Sequence, residues 1–425
     1  MDISSRVVIT GLGAICASGK TPDEIFESLS HQSICITELQ NVDPSAWPCH
    51  TGGSVSIRSR DLLNDRKLLK LLKKTDVLGI YSAEQAIACS RILDYRGSLN
   101  SGDKASFSER FGLYVGTSGA SYNMQHDFLS LICAANEDMN KFGSRLDEFV
   151  SPMWLLYNLP NNVLCHVGIR NNLKGPNCCI TNQGTSGMLA IIEALEAIRA
   201  GDADRAIAVG HDVPTDPQNL LYYQSVGLLS DSALTPFTSN SSGTILGEGG
   251  AALMLESLEA AISRSAVIYA EILGKGCTSE AQGLLPVRRD GDGLARAIGL
   301  ALDESGLRPQ EIGMIVCHGN GTKASDHSEA AAIRTIFGLN PPPITSFKWA
   351  FGHTLAASGC IDTVISTLAL RRKLVPPIPM PHSVEPSLKD LPIAITPMEP
   401  ISNVSLIISR GFGGQNTTLI IRAYY

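Results

Sequence analysis

The segment GPNCCITNQGTSG, residues 175–187, is the most informative part of the chain. Its apolar first half predicts a short strand, and Met188–Ala200 has the 3.6-residue periodicity of a helix. The GTSG tail predicts a tight turn between the two, because glycine adopts the backbone conformations that such turns need. A helix N-terminus stabilises negative charge, which suits a reactive side chain. Gly184, at the turn itself, carries no side chain.

Short apolar strands alternate with helical stretches on both sides of this turn. Alternation of this kind predicts an α/β fold built in layers. Two similar openings, VVITGLGA at 7–14 and VIYAEILGKG at 267–276, predict two similar halves, 1–257 and 258–425. The predicted strands are Arg6–Thr10, Gly112–Gly116, Arg205–Val209, Ala251–Leu255, Val267–Ile272, Met314–Cys317, Val404–Ser409 and Thr417–Ile421. Two further helices are predicted at Gly293–Ser305 and Ala356–Arg372.

The composition of the 425 residues excludes several classes of protein. A net charge of −7 argues against nucleic-acid binding, which usually needs a basic surface. No apolar run reaches the roughly 18 residues that a membrane span requires. The opening MDISSRVVITGLGA has no basic segment, apolar core or cleavage site. We therefore expect a soluble, cytoplasmic protein.

The 11 cysteines show no pattern of metal ligands or disulfides. There is no CxxC motif and no His/Cys cluster with zinc spacing, so we expect free thiols and no metal site. Cys178 and Cys179 are adjacent on the predicted strand and would point to opposite faces. We expect both to be small buried apolar residues.

Three further motifs carry residues suited to chemistry. They are CHGNGT at 317–322, SFKWAFGH at 346–353 and SRGFGGQN at 409–416. Together with residues 175–187 they resemble the β-ketoacyl synthases, the condensing enzymes of fatty-acid and polyketide assembly. The resemblance implies a thiolase-like five-layer αβαβα sandwich of two pseudo-repeated halves. It extends over nearly the whole chain and includes VVITGLGA, GDADRAIAVG at 201–210 and GEGGAALMLES at 247–257.

In that family a cysteine at the strand-to-helix turn carries the growing acyl chain as a thioester. Gly184 matches the cysteine position when the motif is placed by its GTSG tail. Gln183 lies next to it, and glutamine often replaces the cysteine in chain-length subunits and decarboxylating domains of the family. A one-residue slip would place Gln183 at the cysteine position, so both residues are kept as candidates.

The resemblance gives His318 and His353 the role of hydrogen-bonding the malonyl thioester carbonyl and stabilising the enolate. Lys348 lies five residues before His353, which is the family spacing. Glu329 matches the carboxylate that pairs with this lysine. The alternative for Lys348 and Glu329 is a buried ion pair that only orients structural elements.

Phe412 matches a gating phenylalanine beside the nucleophile, or else is a core aromatic between glycines. Asn320 and Thr322 match a pair, usually Thr-x-Thr, that touches the phosphopantetheine arm. We expect no tightly bound cofactor, and 4'-phosphopantetheine delivered on an acyl carrier protein.

Two departures from the family pattern suggest a lowered catalytic demand. Residues 236–243 read PFTSNSSG where the family often has PFDxxRDG, and Arg410 replaces a frequent aromatic.

Two surface features have both a functional and an ordinary interpretation. RKLLKLLKK at 66–74 predicts a helix with Lys67, Lys70 and Lys74 on one face, which is either a docking site for an acidic carrier protein or a solvated helix face. Residues 121–160 are rich in large apolar side chains, which either line an acyl tunnel at a dimer interface or belong to an ordinary core.

Three functions fit these observations. The first is a non-nucleophilic partner subunit, similar to a chain length factor of type II polyketide or aryl-polyene pathways, that pairs with a cysteine-bearing ketosynthase. The second is a malonyl-carrier decarboxylase. The third is a β-ketoacyl synthase whose active-site cysteine has been changed to glycine.

Overall fold

The computed structural model describes residues 6–45, 47–119, 126–380 and 383–425. Its strands are β1 (Val7–Cys16), β2 (Thr37–Glu38), β3 (Thr51–Gly52), β4 (Phe111–Thr117), β5 (Asn177–Thr181), β6 (Arg205–Asp212), β7 (Gly249–Ser257), β8 (Ala270–Ser279), β9 (Met314–Val316), β10 (Ile344–Thr345), β11 (Val404–Gly411) and β12 (Gln415–Ala423).

The helices are α1 (Pro22–Ser30), α2 (Ser59–Leu62), α3 (Lys74–Ser90), α4 (Ile92–Ser98), α5 (Ser101–Glu109), α6 (His126–Ala135), α7 (Met139–Ser144), α8 (Leu146–Phe149), α9 (Trp154–Tyr157), α10 (Asn162–Asn171), α11 (Ser186–Arg199), α12 (Pro217–Ser225), α13 (Leu258–Ser263), α14 (Asp292–Ser305), α15 (Lys323–Phe337), α16 (Lys348–Phe351) and α17 (Ser358–Arg372). Short 3₁₀ turns precede two of them, Gln183–Thr185 before α11 and Leu355–Ala357 before α17.

The large sheet repeats one strand order twice. The first half runs β5-β4-β6-β7-β1 and the second runs β10-β9-β11-β12-β8, with the same parallel and antiparallel neighbours in each. β1 and β8 pair where the halves meet, so the sheet is continuous through ten strands. The two pseudo-repeated halves are therefore confirmed. The boundary at residue 257 stays a prediction.

Helices pack on each half of the sheet, and two further helices lie between the halves. α3 packs on β1, β6 and β7, while α14 packs on β8 and β12. α11 and α17 contact each other between the two halves of the sheet. Every residue from Ser358 to Leu370 of α17 is buried, as expected of a helix enclosed on all sides. The order of helix, sheet, helix, sheet and helix confirms the five-layer sandwich.

The predicted helix over residues 66–74 is wrong. Asp65 accepts hydrogen bonds from the N–H groups of Lys67 and Leu68, which start a 3₁₀ turn over 68–70. Asp76 accepts from the N–H of Lys73 and begins α3 at Lys74. Two local caps thus divide the stretch into two elements, because each carboxylate satisfies N–H groups that a continuous helix would bond internally.

The described part of the apolar stretch at 121–160 is largely exposed, and its role as a tunnel wall at a dimer interface stays a prediction. Residues 121–125 of this stretch lie outside the described residues. In the described part, α6–α9 expose large side chains, among them Ile132 (51%), Met139 (75%) and Leu155 (62%). None of the described residues of this stretch lines the cavities of about 400 Å³ and about 700 Å³ described below, whereas Phe149, Trp154 and Tyr157 line a separate cavity of about 350 Å³. No helix in the described ranges has the length and apolar character that crossing a bilayer requires.

Candidate active site

The turn at Gly184 is held by its own backbone and by Ser186. The Ser186 hydroxyl accepts from the N–H of Asn182 (2.7 Å) and donates to the Gln183 carbonyl (2.8 Å). Gln183 takes a left-handed conformation (φ 48°), which sharpens the turn between β5 and α11. The structure therefore keeps a strand-to-helix elbow in which Gly184 is buried.

The end of β11 closes the space around Gly184. A Cβ added at Gly184 would lie 2.8 Å from the carbonyl oxygen of Arg410 and 3.7 Å from the His353 ring. The first contact is with backbone and is shorter than packed atoms tolerate. The hydroxyl of Ser409 also donates to the Gly184 carbonyl (3.2 Å), which fixes this approach. Position 184 thus has no room for a side chain without movement of β11.

His318 follows β9 and is held by Glu329. Both carboxylate oxygens of Glu329 accept backbone N–H groups, from His318 (2.8 Å) and Gly319 (3.0 Å). The Nδ1 atom of His318 accepts the N–H of Arg410 (3.3 Å). A neutral ring that accepts at Nδ1 carries its proton on Nε2, and we assign that tautomer.

His353 is held in the same way. Its Nδ1 accepts the N–H of Leu355 (3.1 Å) and lies 3.1 Å from the Ser358 hydroxyl. The rings of His318 and His353 meet edge to face with centroids 5.0 Å apart. Both histidines line the same cavity, so two Nε2–H donors serve one site.

Burial keeps both histidines neutral. Loss of solvation is the main cause, and the nearby Lys348 ammonium is the next. Together they lower the pKa of His353 to about 3 and the pKa of His318 well below its usual value. At neutral pH both rings are therefore neutral, and each can donate one hydrogen bond from Nε2.

The predicted pairing of Lys348 with Glu329 is wrong. The Lys348 Nζ atom lies 2.8 Å from Asp362 Oδ2, and both side chains are fully buried. Glu329 instead uses its oxygens on the backbone of 318–319, which leaves the lysine to the carboxylate on α17. Burial raises the pKa of Asp362, while Lys348 opposes that rise. The buried ion pair predicted for Lys348 exists, with a different partner.

Sequence reasoning missed a second buried ion pair. The guanidinium of Arg410 lies 2.8 Å from Glu280 and also donates to Asn416 (2.9 Å) and Ser328 (3.2 Å). An arginine inside an apolar strand is the signal that could have found it, because a buried guanidinium needs an acidic partner.

The PFTSNSSG loop leaves one carboxylate poorly paired. Asp326 accepts from the N–H of Phe237 (2.8 Å) and from the Ser241 hydroxyl (3.2 Å), both at Oδ2. Its Oδ1 is buried without a hydrogen-bond partner among the described residues. Burial raises the pKa of Asp326 to about 7. The serine-rich loop thus surrounds Asp326 with hydroxyl and amide groups instead of a cation.

Two neighbouring cavities meet at the elbow. The first, of about 400 Å³, is lined by Gly184, both histidines, Asn320 and Thr322. Asn320 Oδ1 accepts both the N–H (3.0 Å) and the hydroxyl (2.9 Å) of Thr322, so the two side chains form one turn. The second, of about 700 Å³, has Gln183 in its wall instead of Gly184.

Phe412 stands between these two cavities. It lines both of them, and its ring stacks on Tyr223 with centroids 5.5 Å apart. The structure therefore places Phe412 beside Gly184, where the resemblance puts a gate.

The three predicted docking lysines are not equivalent. The Nζ of Lys74 pairs with Glu248 (2.5 Å), whose carboxylate also accepts the N–H of Val55 and the hydroxyl of Thr215. Lys74 is thus tied to the structure, whereas Lys67 and Lys70 are exposed. Among the described residues no group of three or more acidic, His or Cys side chains could hold a metal ion.

The cysteines of β5 differ from the expectation. Cys178 is exposed, and Cys179 is half-buried with its thiol 3.5 Å from the Pro160 carbonyl. Both lie on the last strand of the sheet, which explains their exposure.

Two family models match the chain. "Beta-ketoacyl synthase, N-terminal domain" matches residues 4–261 and "Beta-ketoacyl synthase, C-terminal domain" matches residues 269–380. The chain therefore belongs to the β-ketoacyl synthase family.

Similar proteins cover its whole length. A 3-oxoacyl-[acyl-carrier-protein] synthase 2 of Synechocystis sp. is 30% identical, over 99% of this chain and 98% of that protein. The ishigamide ketosynthase/chain length factor has the same fold, with a TM-score of 0.86, 24% identity, and 99% of each chain covered. A ketosynthase (ApeO) in complex with its chain length factor (ApeC) from Xenorhabdus doucetiae matches with a TM-score of 0.79, 23% identity, and 99% of this chain and 98% of that chain covered.

Proposed function

We propose that this chain is a non-nucleophilic subunit that pairs with a cysteine-bearing ketosynthase and acts as its chain length factor during carrier-bound chain elongation. The observation that carries the proposal is the closed position at Gly184. A cysteine there would need its Cβ 2.8 Å from a backbone carbonyl. Thioester formation needs a thiolate to attack the acyl carbonyl and expel the carrier thiol. The nucleophile must therefore come from another chain.

The surface of the first half supports a partner of the same fold. β5 pairs with β4 on one side, and along its other edge the described part of the chain supplies no strand. Its residues are exposed or half-buried. An open edge can pair with a strand of another chain. The apolar side chains on α6–α9 supply the hydrophobic area that a stable interface needs.

The names of similar structures agree with this reading. One similar structure is the ishigamide ketosynthase/chain length factor. Another is a ketosynthase in complex with its chain length factor. A third is a type II PKS acyl-carrier protein in complex with its ketosynthase. We therefore infer two partners for this chain, a cysteine-bearing ketosynthase and an acyl carrier protein.

The carrier's phosphopantetheine arm would enter the first cavity. The Asn320–Thr322 turn offers the polar groups that would contact it, and Thr322 keeps one of the two hydroxyls expected from the family pair. Lys67 and Lys70 remain as exposed cations for an acidic carrier protein.

Native mass spectrometry of the tagged chain, purified from its own host, tests the proposal. We expect a one-to-one complex with a second chain that carries an active-site cysteine. Malonyl- and acyl-carrier substrates should then label only that second chain with an acyl group. A homodimer that becomes acylated and extends chains without a partner would overturn the proposal.

The histidine pair favours malonyl-carrier decarboxylation as a second candidate. The Cα–carboxylate bond of the malonyl group breaks, carbon dioxide leaves, and the electron pair forms an enolate. The Nε2–H groups of His318 and His353 would stabilise the enolate oxygen, and solvent would supply the proton that gives acetyl-carrier. No covalent intermediate is needed. Carbon dioxide release by the isolated chain, abolished in His318→Ala, is the expected result, and an inert wild-type chain excludes it.

The surroundings of Gly184 argue against a synthase whose cysteine was simply replaced. Arg410 and the PFTSNSSG loop both depart from the family pattern, and replacing a cysteine by glycine would not by itself have changed them. A glycine codon at position 184 of the native gene is the expected result, whereas a cysteine codon would identify an altered synthase.

A further inference from the structure

Four side chains, two aromatic and two aliphatic, lie between the two cavities. Tyr223, Leu284, Leu355 and Phe412 line both cavities and therefore form the wall between them. The rings of Tyr223 and Phe412 are nearly parallel, with an angle of 29° between their planes. We call these four side chains the septum. A chain that reached the histidines would meet it before entering the larger cavity.

The two rings of the septum stand on different supports. Tyr223 is buried on α12, whose N-terminus is capped by Asp216 through the N–H groups of Gln218 and Asn219. Phe412 lies on a loop in which Gly413 (φ 79°) and Gly414 (φ 72°) have left-handed conformations. Phe412 therefore stands on the more flexible support, and its ring rests against that of Tyr223.

A hydrogen bond ties Tyr223 to the elbow. The hydroxyl of Tyr223 donates to Oε1 of Gln183 (3.4 Å). Gln183 borders the second cavity and Gly184 borders the first, so this contact joins the septum to the residue beside the missing nucleophile. Its length indicates a weak bond that can open.

We propose that the Tyr223–Gln183 hydrogen bond is a latch that holds the septum closed, and that Tyr223 is a specificity-determining residue for acyl-chain length. The identity of the ligand as an acyl chain on phosphopantetheine rests on the proposed function. With the latch closed, a chain is confined to the cavity of about 400 Å³. When Tyr223 releases Gln183 and Phe412 swings on its glycines, the chain extends into the cavity of about 700 Å³.

Fluorine NMR tests the latch without any ligand. 4-Fluorophenylalanine is placed at position 412 of the purified chain, kept with its partner where one copurifies. We expect one narrow resonance in the wild type and a broadened or split one in Tyr223→Phe, which keeps the ring and loses the hydroxyl. Tyr95→Phe is the matched control, because Tyr95 also packs on a phenylalanine but lines neither of the two cavities. A Tyr223→Phe spectrum identical to the wild type would overturn the latch.

Binding of pantetheine thioethers with hexyl or dodecyl chains tests the effect on length. We expect similar affinities for both in the wild type, and a dodecyl-to-hexyl affinity ratio about tenfold higher in Tyr223→Ala, because extra methylenes become buried. An unchanged dodecyl-to-hexyl ratio in that variant would overturn the role in length. If no variant binds either compound, the proposed arm site fails, while the fluorine spectra still decide the latch.

Discussion

The two halves of the molecule each contain a tight turn, or elbow, that leads into one of the two central helices, and the two elbows present different side chains. In the first half, the 3₁₀ turn Gln183–Thr185 leads into α11. In the second, the turn Leu355–Ala357 leads into α17. Each turn begins with a left-handed residue, φ 48° at Gln183 and φ 41° at Leu355. Each helix begins with a serine that stabilises its elbow, Ser186 or Ser358.

The two elbows have similar backbones but differ in the group that each presents. The second elbow presents His353, whose Nδ1 is satisfied and whose pKa is lowered by burial. The first presents Gly184, and the β11 backbone fills the space where a side chain would be. The elbows also touch, because a Cβ at Gly187 would lie 2.4 Å from the Ala356 carbonyl. The turn at Gly184 thus takes part in the packing between the two halves.

We expect the largest loss of stability when the buried Lys348–Asp362 ion pair, whose residues lie on the helices before and after the second elbow, is broken. Lys348→Met leaves the buried Asp362 carboxylate without its partner, so we expect a loss of about 3–5 kcal/mol in the free energy of unfolding. Urea denaturation measures it. Lys348→Met combined with Asp362→Asn should recover most of the loss, because the uncompensated charge is then gone. A double variant as unstable as the single one would mean that packing, and not charge, sets the cost.

A side chain at the first elbow should destabilise the fold. Gly184→Ala forces a Cβ against the Arg410 carbonyl, and we expect a loss of about 1–3 kcal/mol. Gly299→Ala on α14 is the matched control, since nothing lies within 4 Å of its added Cβ. There the same substitution should stabilise by about 0.5–1 kcal/mol. Equal effects at the two positions would contradict the closed space at Gly184.

Gly184→Cys should show little condensing activity for the same steric reason. Efficient elongation by that variant alone would contradict both the closed space and the partner role.

The free energy of unfolding should depend on pH through His353 in the second elbow. The pKa of His353 is about 3 in the folded chain and about 6.5 when unfolded, so only the unfolded state gains a proton as the pH falls below 6.5. Stability is therefore lost between pH 6.5 and 3. At pH 5 the loss from this group is about 2 kcal/mol. His353→Gln should show a smaller difference in unfolding free energy between pH 7 and pH 5. A difference equal to that of the wild type would show that His353 titrates normally.

The serines of the two elbows should have the smallest and most similar effects. Ser186→Ala removes an acceptor for the Asn182 N–H, and Ser358→Ala removes the contact to His353 Nδ1. We expect each to cost about 1 kcal/mol. Thermal unfolding compares them, with Ser263→Ala at an exposed site as the control. A cost confined to Ser358→Ala would mean that the first elbow no longer depends on its serine.

Most of the fold could be predicted from sequence because it depends on short-range patterns. The strand at 205–209 and the helix at 293–305 follow from apolar periodicity, and the structure extends them by only a few residues. β8 begins at Ala270, three residues after the predicted start at Val267. β10 has two residues and leaves too little pattern to detect.

The residues of the site could be predicted from the sequence, but the partners in its ion pairs could not. His318, His353 and Phe412 lie together as their motifs predict. The partner of Lys348 could not be found, because Asp362 and Glu329 are both acidic and both near in sequence, and only the fold shows which one faces the lysine. The same holds for Arg410 and Glu280, which are 130 residues apart.

The exposed strand β5 has a consequence for how the protein is made in the cell. No strand in the described ranges lies along its outer edge, so the N–H and C=O groups there offer a template to an extended chain nearby. A copy synthesised without a strand to cover this edge would aggregate or be degraded. We therefore expect its accumulation to follow the dosage of whatever chain covers β5, so that overproduction of this gene alone yields inclusion bodies and balanced coexpression yields soluble protein.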